Sequence, residues 1–113
     1  MTYHIQENQS VVILALHGQI NVDDVREILH VFAEADLSGI THCIIDCREA
    51  MMVYTDIATS VKHIKKANCG IKLVLVGMSQ WVNVVRSMLV DEDYLPLFHT
   101  LADALDYTQE QAV

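Results

Sequence analysis

The residue types able to do chemistry are scattered along this chain rather than gathered into one motif. Three cysteines stand at 43, 47 and 69, and six histidines at 4, 17, 30, 42, 63 and 99. A thiol enzyme needs a cysteine of low pKa in a loop of backbone donors. Cys43 lies in an apolar strand, and Cys69-Gly70 ends a helix and enters a buried strand, so neither fits. The cysteine spacing is neither CxxC nor a zinc pattern, and no two histidines share a helix face at i, i+4. No metal and no cofactor are therefore expected. His17 and His99 fall near strand ends and read as partly exposed loop residues. Ser79, Thr59 and Ser60 belong to no definable Ser–His–acid constellation, and Gly77 stands alone, without a phosphate-binding loop. What remains is the stretch 43–68. A buried strand ends at Asp46; Cys47, Arg48, Glu49, Ala50, Met51, Met52, Val53 and Tyr54 follow as a loop; Thr55 and Asp56 open a helix. A helix start offers unpaired N–H groups and the positive end of a dipole, which suits a ligand, a phosphate or a partner. Thr55 reads as the cap and Asp56 as the acid that complements the dipole.

The elements that must position this stretch follow from periodicity. Residues 3–6 alternate as a short, half-exposed strand, and a polar turn at 7–10 leads into the unbroken apolar run 11–16. That run is too short for a lone helix and suits a strand covered on both faces. Asn21, with Asp24 three residues on, caps a helix carrying Val22, Val25, Leu29 and Phe32 at helical spacing. The strand at 42–46 is central. Ile57, Val61 and Ile64 mark the inner face of the second helix, and Lys62, Lys65 and Lys66 its other side or last turn. A strand at 71–76 precedes a third helix capped by Ser79, with Trp81, Val82, Val84, Val85, Met88 and Leu89 along it. A short strand at 95–98 carries Pro96, as an edge allows. Thr100 and Asp103 form a capping box for a last helix. The order is ββαβαβαβα. It implies an α/β domain spanning 1–113, with a mainly parallel five-stranded sheet, an N-terminal antiparallel strand and four helices.

Bulk properties narrow the function. A chain of 113 residues with 52% apolar content can bury a core without staples. The formal charge of −8 repels nucleic acid and anionic membrane surfaces. No apolar run reaches the ~18 residues of a membrane span, and residues 3–6 are too polar to open a secretory signal. A reduced, cytoplasmic setting is the expectation.

Several stretches together resemble a STAS domain, the fold of bacterial anti-sigma-factor antagonists. The run 11–21, with Gly18-Gln19-Ile20-Asn21, resembles the family's second strand and its Gly-x-Leu-Asp turn, with Asn21 in place of the Asp. The strand 43–46 ending in Asp46, and the closing segment 98–105, also match. The family's Asp-Ser-Ser-Gly phosphorylation signature is absent. Aligning the apolar face of the second helix puts Thr55 at the phosphoacceptor position; counting from Asp46 puts Asp56 there. The resemblance thus implies a non-catalytic interaction module. Its partner would be a kinase-like anti-sigma factor or another regulator, met through Asn21, Asp46, Arg48, Met51, Met52, Tyr54, Thr55 and Asp56. Phosphate on Thr55 would be the switch, adding about two negative charges.

Three other readings stand beside it. Residues 46–50, 77–81 and 98–105 are similar to small SpoIIAA-like proteins, which implies an apolar-ligand or lipid-binding module without a phosphoswitch. Asp46-Cys47-Arg48 resembles the Asp-x-Arg after a strand in rhodanese domains, which would require the reactive thiol rejected above. Met51, Met52, Val53 and Tyr54 cluster beside the helix start; either two of them fill space under the loop, or Met51 and Met52 with Trp81 form an exposed docking patch. The same patch could pair two copies of the chain.

Overall fold

The computed structural model describes residues 2–34, 38–66, 71–77 and 96–111. Five strands form one sheet in sequential order: β1 (Thr2–Asn8), β2 (Val11–Gln19), β3 (His42–Met51), β4 (Lys72–Val76) and β5 (Leu97–Phe98). β1 is antiparallel to β2, and every later pairing is parallel. Three described helices accompany them: α1 (Val22–Glu34), α2 (Tyr54–Lys66) and α3 (Leu101–Gln111). The helix expected after Gly77, with Ser79 and Trp81, lies outside the described residues.

The apolar alternation assigns the faces. On one face Val12, Leu14, Leu16, Cys43, Ile45, Cys47 and Leu75 pack with Val25, Ile28, Ile57 and Ile64 of α1 and α2. On the other, Val11, Ile13, Ile44, Val74 and Val76 meet Ala104, Leu101 and Leu105 of α3. The middle strands are therefore buried on both sides, which is why 11–16 reads as an unbroken apolar run and 43–45 is apolar throughout.

Capping is local and legible. Asn21 and Asp24 exchange side-chain-to-backbone hydrogen bonds of 3.0 and 2.9 Å at the start of α1. Thr100 Oγ1 accepts from Asp103 N–H at 3.1 Å at the start of α3. Gly18 sits at φ +83°, where a side chain would strain the backbone although nothing crowds it.

Two expected boundaries move. β1 runs from residue 2 to 8 rather than 3 to 6, and its residues 3–8 are exposed throughout. His17, expected in a loop, lies within β2. The larger change is in β3, which continues through residues 47–51, where a loop is expected. Backbone pairing with β2 explains it: Glu49, Ala50 and Met51 lie opposite His17, Gly18 and Gln19. β4 pairs with β3 only as far as Asp46. The tail of β3 and the end of β2 thus form a two-stranded ribbon projecting beyond the β3–β4 pairing.

Candidate docking site

This ribbon carries the irregularity that shapes the site. Ala15 lies opposite Asp46, but His17 lies opposite Glu49, so β3 fits three steps against two of β2. Such a bulge advances the side-chain alternation by one residue. Up to Cys47 the odd positions of β3 face the α1–α2 core; beyond the bulge the even positions Ala50 and Met52 do. Met51 and Val53 are turned outward, 63% and 65% exposed.

Asp46 and Arg48 hold the bulge. Arg48 N–H and Nε both donate to Asp46 Oδ1, at 3.1 and 2.9 Å, and Nη2 donates to Oδ2 at 2.9 Å. Asp46 is buried while Arg48 is partly exposed. The hydrogen bonds that Arg48 donates to Asp46 are the main reason its guanidinium is held more firmly protonated than usual. The carboxylate answers the backbone N–H left over by the bulge and supplies the countercharge for the guanidinium.

A two-residue turn then leads into α2. Met52 is buried, and Ser60 Oγ donates to its sulfur at 3.4 Å. Val53 occupies the cap position, its C=O accepting from Asp56 N–H at 3.0 Å and Ile57 N–H at 3.1 Å. This corrects the capping role expected of Thr55: because β3 runs on to Met51, the helix starts at Tyr54, and Thr55 is already its second residue. Thr55 is exposed in that first turn, and its C=O accepts from Thr59 Oγ1 at 3.2 Å. Asp56 is half-buried and complements the dipole.

The starts of α1 and α2 meet here, since Ile20 N–H donates to Met51 C=O at 2.9 Å. Asn21 is exposed beside the ribbon. The structure thus brings together Asn21, Arg48, Met51, Thr55 and Asp56 at the carboxyl ends of β2 and β3, with Tyr54 as the first residue of α2. Asp46 and Met52 belong to the same region but are buried, so they support the surface rather than form it. Val53 is the exposed apolar residue that sequence reasoning leaves out, because only the bulge phase decides which of 51–53 face out. Trp81 lies outside the described residues. Exposed Asp23 and Glu49, with Asp24 and Asp56, make the rim acidic; Arg26 lies 3.6 Å from Asp23.

Thiol chemistry finds no footing in the described residues. Cys47 is fully buried, and burial followed by the Asp46 charge pushes its thiol well above the usual range. The gap between the helices and the sheet, lined by Leu14, Leu16, Val25, Ile28, Cys47 and Ile64 among others, is about 10 Å³. An open depression of about 320 Å³ lies at the other end of β4, between Lys72, Leu73, Val74, Pro96 and Tyr107. No helix among the described residues is long and apolar enough to cross a membrane. No three His, Cys, Asp or Glu among them are gathered to hold a metal ion.

No protein-family model and no curated protein sequence matches the chain. Solved structures do. An RsbS protein of Moorella thermoacetica with a serine-to-glutamate substitution superposes at a TM-score of 0.71, with 14% identity over 99% of this chain and 98% of that one. An anti-sigma factor antagonist from Mycobacterium paratuberculosis gives 0.68, with 14% identity over 96% and 93%. SpoIIAA in its unphosphorylated form gives 0.63, with 14% identity over 96% and 98%. The fold is STAS-like. Within a STAS-like fold, the ribbon and the two helix starts occupy the carboxyl ends of parallel strands, the usual address of a site in an open α/β sheet.

Proposed function

We propose that the chain is a non-catalytic regulatory module that binds a protein partner through the β2–β3 ribbon and the first turn of α2, with Thr55 as its switch. The observation that carries this reading is the outward pair Met51 and Val53, each about two-thirds exposed, beside an exposed hydroxyl on a helix start. Two large apolar side chains held out by a bulge cost solvation free energy that a partner's surface would recover. The acidic rim favours a partner whose contact face is basic around an apolar centre.

Of the two candidate phosphoacceptor positions, Thr55 is exposed and Asp56 half-buried, which favours Thr55. A phosphate there would add about two negative charges next to Asp56 and the apolar pair. Relatives of the same fold include one solved in its unphosphorylated form and one with glutamate in place of serine. The buried gap of about 10 Å³ is far below the ~300 Å³ of a small-molecule pocket, so the interior does not favour an apolar-ligand carrier.

The test incubates the protein with kinase-type anti-sigma factors and ATP and maps phosphate by mass spectrometry. Label is expected at Thr55, with Thr55→Glu changing partner affinity. No label there, together with unchanged partner binding by Thr55→Glu, overturns the switch. Partner binding unaffected by Met51→Ser and Val53→Ser overturns the surface.

A further inference from the structure

Away from the ribbon tip, a polar grouping spans three neighbouring strands. His4 of β1 and His17 of β2 have ring centres 5.5 Å apart, with planes at 86°. They form a diagonal across the antiparallel ladder, His4 opposite Ala15 and His17 opposite Thr2. On its other side His17 lies opposite Glu49. Glu49 alternates with buried Ala50 and so stands on the face away from α1 and α2, as His17 does by alternation with buried Leu16. One face of β1, β2 and β3 therefore presents two imidazoles and a carboxylate in a row.

The spacing matches a known chemistry. Two imidazoles on one tetrahedral zinc, with Zn–N near 2.0 Å, hold their ring centres about 5 Å apart. His4 is exposed and His17 half-exposed, so both rings have room to turn a nitrogen toward a common point, and imidazole χ2 is soft. The three side chains are not already gathered around such a point, and exposed Glu49 would have to change rotamer to join. Charge favours a cation: β1 and β2 contain no Lys or Arg, and the chain carries −8. Arg48, the cation nearest in sequence, is already bonded to both Asp46 oxygens.

We propose that His4 and His17, with Glu49 as third donor and water completing the sphere, bind one borderline divalent ion of the zinc type. The ion would staple β1 and β2 to the β3 tail. Helical i, i+4 spacing is the usual sequence cue for paired histidines, and a sheet diagonal leaves no such trace. The inference is independent of the partner-binding reading above.

Titration calorimetry with Zn²⁺ alone at neutral pH tests it alongside ¹⁵N spectra of the histidine rings. One ion per chain is expected, with the His4 and His17 resonances moving first. His4→Ala and His17→Ala should each weaken binding about tenfold or more, Glu49→Gln several-fold, and His99→Ala not at all. Zn²⁺ should raise the melting temperature of the unaltered protein and not of the double histidine variant. Absence of heat and of ring shifts at millimolar Zn²⁺, or binding that survives both histidine substitutions, overturns the site. Unchanged affinity in Glu49→Gln overturns the three-donor set.

Discussion

The two halves of β3 each carry large apolar residues and serve opposite ends. From His42 to Asp46 the strand is flanked by β2 and β4 and buried on both faces. Past Asp46 it loses β4, slips by one residue against β2, and turns Met51 outward. Ile44 and Met51 are both large and apolar, yet one is fully buried and the other 63% exposed. Apolar character does not distinguish these two residues; the phase of the alternation and the number of neighbouring strands do. A single inserted residue, held by one ion pair, is enough to convert scaffold into surface.

Ile44→Ala should break the first half hardest. It leaves a cavity between the sheet and α3 and should cost about 2–5 kcal/mol by urea denaturation. A loss under about 1 kcal/mol would mean this half is not the rigid one. Arg48→Ala comes next. It leaves the buried Asp46 carboxylate without its countercharge, at about 1–2 kcal/mol given that Arg48 is partly solvated. The double change Asp46→Ala with Arg48→Ala should cost less than the two single losses added.

The pH response sharpens the contrast at the other end of the strand. His42 is buried, its Nε2 without a hydrogen-bond partner, while Nδ1 lies 2.8 Å from Thr41 Oγ1. Burial, and then the Lys72 charge, lower its pKa from the ordinary 6.5. The unfolded chain therefore takes up this proton first as pH falls. His42's contribution is fully present above pH 6.5 and is lost as pH drops below that value toward its folded pKa. Melting temperatures across this range should fall on acidification, and His42→Gln should flatten that fall. The smallest stability effect belongs to the ribbon: Met51→Ser and Val53→Ser should each change unfolding free energy by less than about 0.5 kcal/mol. The same changes should weaken a partner about tenfold, and a large stability loss without a binding effect would return these residues to the core.

Much of the fold is legible in the sequence. The runs 11–16, 43–45 and 73–76 are apolar at successive positions, and strands stand there. Asn21 with Asp24, and Thr100 with Asp103, announce their helices because the cap is a local interaction. The tail of β3 was not readable. Arg48 and Glu49 interrupt the apolar pattern, and a bulge shows in sequence only through the side chains that support it. The same displacement explains why Thr55 sits inside α2 rather than capping it. That Thr55 is exposed and Asp56 half-buried is likewise something no spacing gives. The pairing of His4 with His17 depends on hairpin register, which the turn at Gln9 and Ser10 fixes.

The hydrogen bond from Ile20 to Met51 makes two distant segments of chain behave as one hinge plate. Whatever tugs on the stem of the second helix must also pull on the stem of the first. The tie adds to the packing of Val25 and Ile28 with Ile57 and Ile64 behind it, and its acceptor is the last residue of β3, so the two stems and the strand end share one anchor.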